Sequence, residues 1–324
     1  MSKESRLNGL VAGAMIGDCL GIPYVFMKSD QILQNAAQAC WKTDMPGATS
    51  GLLMTALSAV KRYGFVPQIM ATRYQKWAKH TPLELDLITS RCFAQKKKLS
   101  LNELYTATEI SDHGALCSAM LLIRQIPIVI AHTNASVAEL FQYVQAECRL
   151  SHSDPVSIEC AQLFALCLQN ILNGKSRIQN WNCLFQAIHS SEVYRIVMNS
   201  YYAKPVCDNH HYSHASTALG LALYHYWHDT PFVSAIRSAV LAGGLTDVNA
   251  AVTGALIGAS QGFKSIPHAW IEAALQPVTD KSTPSLSVML KHANIIAIHA
   301  GYLPMCCPSK KRPRKQSDFS LLAA

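Results

Sequence analysis

Charge is scarce in this chain: 15% of its 324 residues are Asp, Glu, Lys or Arg, while 50% are apolar. That balance excludes a disordered chain and supports a large buried core. Strict apolar–polar alternation, the mark of a half-buried strand, is almost missing. The chain holds eleven cysteines but no Cys-x-x-Cys pair. Scattered and odd in number, they read as small hydrophobes in a reducing, intracellular setting. No repeat of fixed period is present. The opening Met1–Arg6 is too charged for a signal peptide, and the apolar stretch after it is broken by Gly and Asp. The greasy run Ala119–Ala131 contains Arg124, Gln125 and Pro127 and is too short to span a bilayer. The expectation is a soluble, cytoplasmic protein without a transmembrane segment. Of the net charge of +8, residues 309–324 supply half, so the body of the chain is no nucleic-acid binder by charge.

Helical periodicity is what the chain does have. It predicts an all-α fold with helices over Leu7–Leu20, Ser50–Tyr63, Pro67–Lys79, Leu101–Thr106, Gly114–Arg124, Val137–Arg149, Pro155–Leu172, Trp181–Ile188, Ser213–Trp227, Pro231–Ala242, Val248–Gly262 and Pro267–Leu275, with one more between Ser282 and Gly301. A single helical domain over 1–302 and a basic tail over 303–324 follow. Two of these helices carry stripes of small residues four apart: Gly9, Gly13 and Gly17 in the first, and Ala250, Gly254, Gly258 and Gly262 near the other end. Spacing of four puts each stripe on one helix face, where another backbone can approach closely. If the striped helices pack antiparallel, Asp18, at the end of the first, meets Asp247, in the first turn of the second.

The order of motifs resembles that of the ADP-ribosylglycohydrolase family, whose members remove ADP-ribose from proteins. The likeness runs over roughly residues 5 to 275. Gly17-Asp18-Cys19-Leu20-Gly21 is similar to the family's Gly-Asp-x-Leu-Gly turn, and Gly47-Ala48-Thr49-Ser50-Gly51 falls where it has Gly-x-Thr-Asp-Asp. His113-Gly114-Ala115 resembles its Asn-Gly-Ala turn and Ser151-His152-Ser153-Asp154-Pro155 its Thr-His-x-x-Pro helix start. Gly243-Gly244-Leu245-Thr246-Asp247-Val248 stands in place of Gly-Gly-Asp-Thr-Asp-Thr. The resemblance implies an orthogonal helical bundle with a groove formed by the loops at 43–51, 111–116, 151–154 and 243–249. It also implies a pair of divalent cations in the family's chemistry.

The departures fall on that pair. Ser50, Gly51 and Leu245 replace three carboxylates, Val25 takes the place of a glutamate near the reacting centre, and of five acidic positions Asp247 alone remains. Hard cations such as Mg²⁺ need several charged oxygens, so no metal and no cofactor are expected.

Asp247 is the foremost catalytic candidate: ionised at a helix start, it would oppose positive charge developing at a ribose C1. An ordinary first-turn carboxylate is the competing reading. Asp18 either anchors the floor of the site through backbone N–H groups or is simply a buried acceptor. His152 is a lesser candidate. Ligand contacts are expected from Thr49, Ser50, His113, Gly114, Gly243, Gly244, Thr246 and Tyr212, the last in the place of a family aromatic near the bound ribose or adenine. The histidines at 210, 211, 214, 225 and 228 lack cysteines to complete a zinc set. The run Lys310–Lys315 suits an import receptor or an anionic surface. Two functions stand: a metal-independent hydrolase acting on ADP-ribosylated protein, and a pseudoenzyme that binds ADP-ribose or a protein partner.

Overall fold

The computed structural model describes residues 1–36, 46–80, 87–95, 97–110, 118–205, 214–276 and 283–304. Among them every regular element is helical: α1 (Lys3–Gly21), α2 (Ser29–Ala36), α3 (Ala48–Tyr63), α4 (Pro67–His80), α5 (Leu87–Phe93), α6 (Leu101–Ile110), α7 (Met120–Arg124), α8 (Ile126–Ala131), α9 (Val137–Cys148), α10 (Pro155–Leu172), α11 (Arg177–Ala187), α12 (Ser191–Tyr202), α13 (Ala215–Trp227), α14 (Phe232–Leu241), α15 (Thr246–Gln261), α16 (His268–Leu275) and α17 (Leu286–His299). The all-α expectation holds.

Local chemistry sets many of the boundaries. Ser2, Asp154 and Ser190 each accept a backbone N–H from three residues on and so cap α1, α10 and α12. Ser136–Glu139 and Ser176–Gln179 form reciprocal capping boxes at the starts of α9 and α11. The second of these starts α11 four residues before the apolar pattern predicts. Gly64 (φ 70°) and Gly262 (φ 84°) close α3 and α15 in a left-handed conformation that a side chain would strain. Pro127, which has no N–H to donate, separates α7 from α8 within one greasy stretch. Helices α2, α5, α8 and α12 went unpredicted. α12 is rich in Tyr, Ser and Asn, weak helix formers, and is held by burying Val193 and Val197.

Helix α10 is long and apolar and 78% of it is buried inside the protein. It packs on α7, α8, α9, α11, α13 and α15, while α17 covers α1, α3 and α8. The centre of the architecture is the antiparallel pair α1–α15. Gly9 faces Gly258, Gly13 faces Gly254, and Gly17 faces Ala250. At Gly9, Gly13 and Gly17, a Cβ would overlap the carbonyl oxygen of the facing residue. The pair continues to its end, where Gly21 packs on the backbone of Thr246 and Asp247.

Because the obstacle is backbone, no rotamer change relieves it. Even Gly13→Ala or Gly254→Ala is expected to lower stability by at least about 1–3 kcal/mol, the usual cost of overpacking. Urea unfolding measures this, and unchanged midpoints in both variants would contradict the packing.

Candidate functional site

The tight pairing of α1 with α15 delivers Asp18 and Asp247 to the same place, where the start of α3 joins them. Asp18 lies in the last turn of α1, fully buried, where the helix dipole disfavours a carboxylate. Its compensation comes from another helix. Asp18 Oδ2 accepts the N–H of Gly47 at 2.8 Å and of Ser50 at 3.0 Å, so it caps α3 across the fold. Gly47, the N-cap residue, cannot be larger: a Cβ there would meet Asp18 Oδ1 at 2.9 Å and Ile22 Cδ1 at 2.7 Å. Burial pushes the Asp18 carboxyl up to about 6, against the lowering pull of the Ser50 side chain and the Gly47 and Ser50 amides.

Asp247 sits in the first turn of α15. Its Oδ2 accepts from Thr49 Oγ1 at 3.4 Å, and its Oδ1 is screened from solvent without a hydrogen-bond partner. Burial, then the neighbouring Asp18, raise its carboxyl to about 7; the amides at the start of α15 and the Thr49 hydroxyl oppose the rise. Two acids this close cannot both ionise cheaply. Near neutral pH the pair therefore holds a proton that it can give or take.

The Gly243–Thr246 turn is spent on scaffolding. Gly243 (φ 85°) and Gly244 (φ 74°) both need the left-handed conformation. Gly244 donates its N–H to Met27 O at 3.1 Å and accepts the N–H of Phe26 at 2.8 Å. Thr246 Oγ1 donates to Gly21 O at 2.7 Å. These groups hold the 22–28 turn against α15 and fix the register of the helix pair. His152 is similarly occupied. Its Nε2 accepts the N–H of Ser118 at 3.1 Å, which places the ring proton on Nδ1, 2.7 Å from Ser151 Oγ. Burial and the charge of Arg124 hold it well below the usual histidine range. It is a neutral, fully bonded ring. His113, Gly114 and Tyr212, the histidines at 210 and 211, and the run Lys310–Lys315 lie outside the described residues.

Two residues of interest escaped sequence reasoning. Phe26 is 61% exposed and has φ 65°, a conformation that costs a bulky residue roughly 1–2 kcal/mol. It bears an exposed ring on the turn pinned to Gly244, one position beyond Val25. Trp77 of α4 is the other. A Cβ on Gly51 would meet Trp77 Nε1 at 2.8 Å, so the indole fills the direction a longer side chain at 51 would take. Nothing in the local sequence of either residue signals this, since one depends on a backbone dihedral and the other on a tertiary contact.

The acidic positions of a two-cation centre do not fit here: Trp77 crowds position 51, and Leu245 turns an apolar side chain into the core, as does Val248 in the place of a threonine. The oxygen set that remains is Thr49, Ser50, Asp18 and Asp247. Among the described residues no group of three or more His, Cys, Asp or Glu is arranged to hold a metal ion.

An all-α scaffold built on a glycine-paired helix couple, with a carboxyl pair at its mouth, defines the class. The sequence model of the ADP-ribosylglycohydrolase family matches residues 1–293, and the chain belongs to that family. A protein of Acanthamoeba polyphaga mimivirus, named provisionally as an ADP-ribosyl glycohydrolase, is 24% identical over 84% of this chain and 91% of its own length. The ADP-ribosylarginine hydrolase Tri1 of Serratia proteamaculans (strain 568) is 22% identical over 84% of this chain and 75% of its own. A solved chain described as an ADP-ribosylglycohydrolase-related protein complex superposes with a TM-score of 0.70 at 21% identity, covering 91% of this chain and 98% of that one. That structure shares the fold.

The carboxyl pair should leave a mark on stability. A raised carboxyl pKa means that the native state keeps protons which the unfolded chain releases near pH 4. Its contribution is complete below that pH and is lost as pH rises through about 6 and 7. Asp247→Asn should therefore raise the melting temperature at pH 8 and change it little at pH 4. Comparing the two proteins cancels the buried histidines, whose lowered pKa values act in the opposite sense. Parallel melting curves for wild type and variant across pH 4–8 would exclude the coupling.

Proposed function

We propose that this protein binds ADP-ribosylated protein and cleaves the bond to the ribose without a pair of divalent cations, with Asp247 as the catalytic residue. The observation that carries this reading is Asp247 Oδ1: a carboxylate oxygen at the start of α15, beside Thr49, without a hydrogen-bond partner of its own. Ionised Asp247 opposes the positive charge that grows at the ribose C1 as the glycosidic bond breaks; water adds to C1, and the modified side chain leaves with the proton that the water gives up. Asp18 acts as a positioning residue, since its Oδ2 is committed to the amides of α3. Through them it fixes Thr49. The exposed ring of Phe26 offers a flat apolar face to the adenine or ribose. The hydrolase relative Tri1 and the family as a whole support ADP-ribosylated protein as the substrate class.

One observation favours the second reading, a binding module without turnover. With its carboxyl raised to about 7, Asp247 is neutral in a large share of molecules at physiological pH. A neutral carboxyl can hold a ribose hydroxyl but cannot oppose a cation.

Asp247→Asn separates the two. For a hydrolase, release of ADP-ribose from a modified protein falls at least about a hundredfold, on the order of 3 kcal/mol, while binding of free ADP-ribose changes far less. Release by wild type that survives the substitution would remove Asp247 from the chemistry; no release by wild type, with binding retained, selects the module. Neither EDTA nor millimolar Mg²⁺ should shift the melting temperature or the rate. A rise of several degrees with Mg²⁺ would show that the native state binds it.

Phe26→Gly offers an independent check. Glycine accepts φ 65° freely, so the variant should melt higher than wild type yet bind ADP-ribose more weakly. If binding is unchanged, the ring is no part of the ligand surface.

A further inference from the structure

A second convergence of charge lies at the opposite end of the α1–α15 pair. Arg6 from the first turns of α1, Lys175 from the turn between α10 and α11, and Arg177 at the start of α11 line one cavity of about 200 Å³, with Tyr226 and Ser260. Arg6 and Asp18 are twelve residues apart on one helix, hence about 18 Å along its axis. The two sites are separate.

Each cation is held by its own surroundings. Both Arg6 Nη atoms lie 3.4 Å from where a Cβ on Gly174 would stand, and Gly174 itself turns with φ 79°. Arg177 is ion-paired with Asp229 and lies over the ring of Tyr226, 5.8 Å from its centroid. Its Nε is screened from solvent and has no hydrogen-bond partner. Lys175 Nζ lies 3.3 Å from Cys183 Sγ. Asp229 is thus the one acidic side chain found paired with any of the three among the described residues. Three like charges around one cavity repel one another, and they are balanced only in part.

We propose that this cavity binds a phosphoryl anion. Guanidinium forks suit the several oxygens of a tetrahedral phosphoryl group, and Lys175 adds a mobile point charge. Free pyrophosphate and the phosphate of a nucleotide share this chemistry.

Titration calorimetry on the full chain, with sodium pyrophosphate and with AMP against sodium chloride of equal ionic strength, tests the assignment. One pyrophosphate per chain is expected, bound at least tenfold more weakly by Arg6→Gln and by Lys175→Gln. Lys175 is exposed, so its variant reports on binding without risk to folding. Equal or tighter binding of AMP identifies a nucleotide phosphate as the ligand, and binding of pyrophosphate alone identifies a free polyphosphate. No binding of either anion overturns the proposal. So does pyrophosphate binding that persists in the Arg6→Gln/Lys175→Gln double variant.

Discussion

The contact between α1 and α15 governs the rest of this molecule. Three glycines on one helix and two glycines and an alanine on the other let carbonyl groups touch the opposite backbone. Side chains cannot substitute for this contact, because there is no room for them. The approach fixes the distance between the helices. A stripe repeating every four residues does not by itself fix their register, since a slip of one turn would again bring small residues opposite one another. Register comes from the end of the pair, where Thr246 bonds Gly21 and the Gly243–Gly244 turn bonds the 26–27 backbone. The elements that lock the helices together are therefore those that surround Asp247.

Charge at the mouth of this pair is managed by burial and sharing. Asp18 at the wrong end of its own helix is acceptable because it faces the right end of another. Asp247 has a helix start of its own, but burial and then the neighbouring Asp18 raise its carboxyl to about 7. On the reading proposed above, the carboxyl pair works among neutral neighbours, Leu245 at an acidic position of the family and Trp77 over position 51, without cations. Acid–base behaviour and fold stability are then set by the same two groups.

Much of this was legible in the residues. Glycines four apart at 9, 13 and 17 and at 254, 258 and 262 predicted the antiparallel pair, because helical periodicity translates directly into a face. The convergence of Asp18 and Asp247 follows from the ends of those stripes. Pro155 behind Asp154 marked a helix start to the residue, since a cap and a missing N–H are local chemistry. Interactions between distant residues were not legible. That the Thr246 hydroxyl and the Gly244 amide serve the scaffold, and that both ring nitrogens of His152 are engaged, depends on which groups the fold brings within 3 Å or so. The strain at Phe26 and the indole over Gly51 belong to the same category. Motif position identified the neighbourhood; it did not say which donors and acceptors were still free.

The pairing of α1 with α15 also has a consequence in time. Gly9 and Gly258 touch across nearly the whole described chain, so the central contact closes one of the largest loops the protein can make. Such contacts form late, since the entropy of closure must be met before the contact rewards it. On the ribosome, α1 waits with its glycine face uncovered until residues beyond 262 have emerged. Until then Asp18 and Asp247 are far apart and no site exists. A nascent chain cut short anywhere before α15 thus lacks both the central helix contact and Asp247, and competence arrives only with α15.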